Sequence, residues 1–154
     1  PIIMSSYVDF WKGYMAGSGA ARKAFMLEGL DKSIETVSDY GSLDSSADLT
    51  FEPDEDDIDA YLAEVGAAYD ADPDNVFAEQ YFITLYGGAT EAWNYYRRTG
   101  FPNTLNPSWE ASPGPFPLAI FFPTNEVTTN PNVSQRTSLD EPVFWNSGGC
   151  PTCY

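Results

Sequence analysis

The twelve prolines of this chain divide it into two parts with different structural options. Nine of them lie between Pro102 and Pro151, in the last third of the 154 residues. A proline fixes its own φ and removes one backbone donor, so few regular helices or strands fit so dense a run. The chain is therefore predicted to be mainly α-helical over residues 1–100 and irregular over residues 101–154.

Apolar residues recur at helical spacing in four segments of the first part. We expect the first helix to begin at Ser6, with Asp9 completing a capping box, and to end at Gly17. The second helix is predicted over 20–38, and a polar loop over 39–50 follows it. The faces predicted to be buried are Tyr7, Phe10, Trp11 and Tyr14 in the first helix, and Leu27, Leu30, Ile34 and Val37 in the second.

Start signals define two further helices. The third opens with Pro53 and four consecutive acids at 54–57, which suit the positive end of a helix dipole. The fourth begins at Pro73 and is expected to continue through Gly87 and Gly88 with a kink or a close helix contact. Their predicted buried faces are Ile58, Tyr61, Leu62, Val65 and Tyr69 in the third helix, and Phe77, Tyr81, Leu85, Gly88 and Ala92 in the fourth.

A complete stop signal ends the fourth helix. Arg97 and Arg98 lie in its last turn, at the negative end of the dipole, and Gly100 and Pro102 follow. The four helices then form two pairs, which resemble a short stack of tetratricopeptide-like repeats. The later part is expected to be an extended wrap whose aromatic residues anchor on the helices, with one short strand over 118–122. Together the two parts form one domain or part of a larger one.

Negative charge is concentrated in the middle of the chain. The net charge is −16, and sixteen of the 23 acidic residues lie between Lys32 and Arg97, where there is no Lys or Arg. Nucleic-acid binding needs a basic surface, and an anionic membrane surface attracts basic segments. Both are therefore rejected as partners, and most of the acidic run is explained as solvated surface and helix starts.

The chain has no histidine, which excludes Ser-His and Cys-His nucleophiles and histidine-ligated zinc. The only cysteines, Cys150 and Cys153, are expected to form a local disulfide or to remain free thiols. No cofactor is predicted, and a calcium site built from loop carboxylates near Asp44, Asp48 and Glu52 is the minor alternative. No pair of carboxylates stands out as an acid–base centre.

Trp109 is the one candidate for direct ligand contact. It lies in a polar loop at 106–110, and an aromatic face flanked by polar groups suits a sugar ring. A tryptophan packed into the core is the alternative interpretation.

Four segments carry a recognisable pattern. In chain order they are LYGG (85–88), EAWNYYRRTGFP (91–102), FPTNEVTTNPNV (122–133) and VFWN (143–146). In this order they resemble the SusD/RagB family of outer-membrane nutrient-binding lipoproteins. Family members are much longer than this chain, which therefore resembles the C-terminal portion of one.

The resemblance implies a binding protein and not an enzyme. Such a protein would lie on the outer face of the outer membrane, attached through a lipid anchor that this chain does not contain. It would close as a lid over a SusC-like TonB-dependent β-barrel transporter. Its ligand would be an oligosaccharide, or an oligopeptide in the RagB-like branch. A docking scaffold fragment with no ligand site of its own is the remaining alternative.

The resemblance also implies a structural role for its signature residues. These are Trp93, Arg97, Arg98, Gly100, Pro102, Asn130, Pro131 and Trp145. Trp93 and Tyr96 are expected to be buried, and the arginines are expected to bind helix-end carbonyls or carboxylates of the wrap. Direct ligand contact by this turn is the alternative. The ligand-contacting aromatic residues of the family are not carried over onto any residue of this chain.

Overall fold

The computed structural model describes residues 4–86, 88–106 and 116–142, and helices are the only regular elements within these ranges. They are α1 (Met4–Ala16), α2 (Ala20–Ser42), α3 (Glu55–Ala71), α4 (Pro73–Thr84), α5 (Ala89–Thr99) and α6 (Thr124–Thr129), with a 3-10 turn at Leu49–Phe51. The mainly helical prediction is confirmed. The chain forms two compact units, Pro1–Ala92 and Trp93–Tyr154. No described helix is long and apolar enough to cross a membrane.

Helix α1 begins earlier than predicted, and the capping box predicted at Ser6 and Asp9 is wrong. The helix starts at Met4, so both residues lie inside it, and they are only 2% and 1% exposed. The Asp9 carboxylate instead pairs with Lys12 and with Lys32 of α2, each at 2.6 Å. Serine and aspartate can cap a helix, or they can be buried inside one as polar side chains. Only the tertiary contacts show which of the two applies.

Helix α2 is longer than predicted and buries a different face. It continues to Ser42, so the start of the loop predicted over 39–50 is helical. Val37, predicted to be buried, is 67% exposed. The residues of α2 that are buried are Arg22, Met26, Gly29 and Leu30. Periodicity identifies the apolar face of a helix, but it does not tell which part of that face a neighbour covers.

The core of the first unit forms around Phe10. Its ring stacks on Tyr81 of α4 with centroids 5.0 Å apart, and it meets Phe77 edge-on at 5.4 Å. A Cβ on Gly29 of α2 would lie 2.9 Å from Phe10 Cδ2, and one on Gly13 would lie 2.9 Å from Phe77 Cε2. Glycine at these positions therefore allows the close packing. Helix α1 packs on α2 and α3 packs on α4, as the two predicted helix pairs require.

Helix α3 has the acidic start that its sequence predicts. The Asp54 carboxylate accepts a hydrogen bond from the Asp57 N–H at 2.9 Å, and the Asp57 carboxylate accepts one from the Asp54 N–H at 3.4 Å. Carboxylates at this end are stabilised by the helix dipole. Val65 and Tyr69 of the predicted stripe are buried, whereas Tyr61 is 38% exposed.

The fourth predicted helix is in fact two helices. Helix α4 ends at Thr84 and α5 begins at Ala89. The Gly88 N–H donates to the Leu85 carbonyl at 2.6 Å across the turn. A Cβ on Gly88 would lie 2.9 Å from the Tyr7 hydroxyl of α1. A kink or a close helix contact was expected at this point. The close contact is present, but it lies at a break between two helices and not inside one helix.

In the second unit, the strand predicted over 118–122 is wrong. The N–H groups of Leu118 and Ala119 both donate to the carbonyl of Leu139, at 2.8 and 3.0 Å, so this contact does not extend into a ladder. Helix α6 was not predicted, and it begins directly after Pro123. A proline is tolerated there because the first N–H groups of a helix have no intrahelical partner.

Candidate functional site

The signature residues of α5 form a compact arrangement within the second unit. The Arg97 guanidinium carbon lies 3.9 Å from the centroid of the Trp93 ring. Trp93 Nε1–H donates to the Pro117 carbonyl at 2.7 Å, and Arg97 Nη1 donates to the Leu118 carbonyl at 3.2 Å. We name this stacked pair and its two carbonyl contacts the Trp93–Arg97 clamp. It ties α5 to the segment that contains Pro117 and Leu118.

Helical spacing explains the clamp. Residues four apart share one face of a helix, so the Arg97 guanidinium covers the Trp93 ring in a cation–π contact. Asn94 Oδ1 accepts a hydrogen bond from Arg97 Nη2 at 2.6 Å and fixes the plane of the guanidinium. Burial lowers the pKa of Arg97, yet an arginine stays charged at physiological pH. The clamp is therefore a permanent cation held by a ring, an amide and a carbonyl.

Two of the hydrogen bonds of Arg97 reach different parts of the chain. The Leu118 carbonyl belongs to the later segment, and Asn94 lies one turn earlier in α5. Tyr96 is buried, with 6% of its surface exposed. The centroid of its ring lies 4.4 Å from the centroid of the Phe116 ring. Trp93, also expected to be buried, is only partly buried.

The end of α5 follows the predicted stop signal. Gly100 has φ 77° and its N–H donates to the Tyr96 carbonyl at 2.7 Å. This left-handed conformation favours glycine, the usual residue after a helix end. The Thr99 hydroxyl donates to the Tyr95 carbonyl at 2.9 Å and accepts the Phe101 N–H at 3.2 Å. Pro102 is buried directly after the turn.

Asn130 and Pro131, the signature residues of the third segment, lie at the end of α6. The Asn130 N–H donates to the Glu126 carbonyl at 2.9 Å, and its side-chain amide donates to Glu126 Oε1 at 2.7 Å. Asn130 Oδ1 also accepts the Asn132 N–H at 3.1 Å. Asn130 therefore ends the helix through both its backbone and its side chain, and Pro131 cannot continue it.

A buried arginine in the first unit was not predicted from the sequence. Arg22 Nε donates to the Tyr69 hydroxyl at 2.8 Å, Nη2 donates to Asp74 at 2.7 Å, and Nη1 donates to the Gly17 carbonyl at 3.0 Å. Its guanidinium also lies 5.1 Å from the Phe77 ring. Burial opposes the charge of Arg22, but Asp74 and Tyr69 outweigh this effect and raise its pKa. Arg22 joins α2 to α3 and α4.

Most of the bases in the described ranges are held by carboxylates. Lys12, Lys23, Lys32, Arg22 and Arg136 each have one within 2.6 to 3.1 Å. Lys32 contacts both Asp9 and Glu28, and these two hydrogen bonds raise its pKa to about 12.

Several predicted site residues lie outside the described residues. They are Trp109, Trp145, Cys150 and Cys153, and the predictions about them remain predictions. In the loop considered for calcium, Asp44 accepts the Ser46 N–H at 2.9 Å and Asp48 accepts the Thr50 N–H at 3.0 Å. Over 4–86, 88–106 and 116–142, no three His, Cys, Asp or Glu side chains are grouped to hold a metal ion.

Comparison with known proteins identifies the family. The family model for SusD-like proteins, described as starch-binding and associating with the outer membrane, matches residues 10–123. No curated protein and no solved structure matches the chain significantly. The matched range includes Phe10, Phe77 and Tyr81 of the core and the Trp93–Arg97 clamp. The chain thus belongs to the SusD-like family of starch-binding proteins that associate with the outer membrane.

Proposed function

We propose that this chain is part of a glycan-binding, cell-surface subunit of a SusC/SusD-type nutrient uptake complex. In this role it captures oligosaccharides and acts as a lid on a TonB-dependent β-barrel transporter. The observation that carries the proposal is the family match over residues 10–123. The subunit binds and delivers its ligand, and the proposal includes no catalytic step and no cofactor.

The Trp93–Arg97 clamp has a structural role in this proposal. Its ring face, its indole N–H and both of its Nη groups contact other parts of the chain. A side chain engaged in this way fixes the frame of a binding protein and does not need to touch the ligand. Ligand contact is assigned to aromatic faces elsewhere, and Trp109 is the candidate in this chain.

The experiment is isothermal titration of the full chain with maltoheptaose and, in parallel, with a mixture of short oligopeptides. We expect heat of binding with the oligosaccharide, lost in Trp109→Ala. Phe121→Ala is the control, since it removes a different aromatic side chain, one that is 50% exposed. Binding that survives Trp109→Ala removes this residue from the site.

The other two hypotheses predict different results. An oligopeptide-binding subunit of the RagB-like type would give heat with the peptides and none with maltoheptaose. A docking scaffold would bind neither ligand and would copurify with a SusC-like barrel when both are expressed together. Either result would contradict the proposal that this chain captures glycans.

A further inference from the structure

The end of α2 and the segment after it present an apolar surface that the proposed function does not use. Tyr40, Leu43, Leu49 and Phe51 are 47%, 76%, 45% and 88% exposed. The end of α2 and the 3-10 turn approach each other, since a Cβ on Gly41 would lie 3.4 Å from Leu49 Cδ2. We name these four side chains the acid-rimmed patch. Large exposed apolar side chains that cluster in this way mark interaction sites on soluble domains.

Local hydrogen bonds hold the backbone of the patch in place. The Leu43 N–H donates to the Tyr40 carbonyl at 3.2 Å, and the Glu52 N–H donates to the Leu49 carbonyl at 3.1 Å. Asp48 accepts the Thr50 N–H at 3.0 Å at the start of the 3-10 turn. A surface that is already ordered loses little conformational entropy when it binds.

The charged residues beside the patch in the sequence are all acidic. Asp39, Asp44, Asp48 and Glu52 are exposed, and there is no Lys or Arg from residue 33 to residue 96. Hydrogen bonds from Ser46 and Thr50 lower the pKa of Asp44 and of Asp48, respectively. The carboxylates of Asp44 and Asp48 are therefore ionised at neutral pH.

The charge of these acidic residues determines the partner. A second copy of the chain would place carboxylates against carboxylates, and an anionic lipid surface would be repelled in the same way. We propose that the acid-rimmed patch docks another protein whose contact surface is apolar at its centre and carries Lys or Arg at its edge. Such a pairing buries Leu43 and Phe51 as anchors and matches opposite charges around them. It is independent of glycan capture.

Two defined peptides test this proposal. Both are amphipathic helices with the same leucine-rich face, but one carries Lys and Arg on its flanks and the other carries Glu. Fluorescence anisotropy with the full chain should show binding of the basic peptide that weakens as salt is added. The acidic peptide should not bind.

Variants then locate the binding. Leu43→Ala with Phe51→Ala should weaken the basic peptide about tenfold or more, and Asp39→Lys with Glu52→Lys should do the same. The matched controls are Met15→Ala, which removes a side chain that is 77% exposed elsewhere, and Asp31→Lys, which reverses an exposed charge on the same helix. Circular dichroism verifies that each variant is folded.

Three outcomes would overturn the proposal. The first is failure of the basic peptide to bind, and the second is equal binding of both peptides. The third is binding that the patch variants leave unchanged. Binding of phosphatidylcholine vesicles through Leu43 and Phe51 would mean that the patch contacts lipid. Self-association through the same residues would mean that it contacts a second copy of the chain. In either case the proposed protein partner is wrong.

Discussion

The carboxylate of Asp9 in α1 and the ammonium of Lys32 in α2 are 2.6 Å apart, and Asp9 is 1% exposed. The second oxygen of the same carboxylate binds Lys12, also at 2.6 Å. Burial alone would raise the pKa of Asp9, but the two lysines outweigh this effect and lower it. A buried charge is tolerated here because it is neutralised on both sides.

Asp9→Asn should destabilise the protein by about 1–3 kcal/mol. The amide keeps the size of the side chain but removes the charge that both lysines bind. Chemical denaturation followed by circular dichroism measures the free energy of unfolding. Asp31→Asn, an exposed acid on α2, is the control and should change this free energy little. Equal effects of the two variants would contradict a special role for Asp9.

The contribution of Asp9 should depend on pH in one direction. Its folded pKa lies below the ordinary value of 3.8, so ionised Asp9 stabilises the folded state above that pH. The contribution is lost as the pH falls through the lowered pKa. The difference in unfolding free energy between the wild type and Asp9→Asn should therefore be constant above about pH 5 and should shrink in more acidic solution. A difference that grows on acidification would show the opposite linkage.

Arg97→Ala should lower the melting temperature before it affects ligand affinity. The substitution removes the ring contact with Trp93 and the hydrogen bonds to Leu118 and Asn94, at a cost of about 2 kcal/mol. Differential scanning calorimetry measures the first effect, and titration with maltoheptaose measures the second. Unchanged stability with lost binding would assign Arg97 to the ligand site.

Trp93→Phe separates the two functions of the indole in the clamp. Phenylalanine keeps an aromatic face for the Arg97 guanidinium but cannot donate to the Pro117 carbonyl. We expect a loss of about 1 kcal/mol, smaller than that of Arg97→Ala. A loss as large as that of Arg97→Ala would mean that the bond to Pro117 dominates the clamp.

Two glycines of α2 should respond with opposite signs to the same substitution. Gly29→Ala should destabilise the protein, because its Cβ would lie 2.9 Å from Phe10 Cδ2 and 3.2 Å from the Ser6 carbonyl oxygen. Gly41→Ala meets only Leu49 Cδ2 at 3.4 Å and should stabilise the helix by about 0.5–1 kcal/mol. Thermal denaturation of both variants checks this, and a shift of the same sign for both would refute the packing argument.

The sequence predicted most where a signal is local. The acidic start of α3 at Asp54 and the end of α5 at Gly100 depend on neighbouring residues, and both were predicted correctly. The capping box at Ser6 failed because α1 begins at Met4, and one of the two partners of Asp9 is Lys32, on another helix. No local pattern reveals such a partner.

The same limit applies to the candidate site. Trp93 and Arg97 were identified by their resemblance to a family signature, and their helical spacing indicates that they share a face. Their partners Pro117 and Leu118 lie on a segment for which the sequence predicted a strand. The buried Arg22 was missed because a charged residue early in a helix is ordinarily exposed. Its sequence signal is its spacing, since it lies four residues before Met26 on the buried face of α2.

The ion pairs of the first unit should protect its lysines from acylation, and this protection can be measured. The lysines of the chain are Lys12, Lys23 and Lys32, and each one binds a carboxylate. An acylating reagent must break such a pair before it modifies the nitrogen, and the product carries no charge with which to restore it. The rate of acylation at each lysine, followed by mass, therefore reports how firmly its carboxylate partner holds the ammonium.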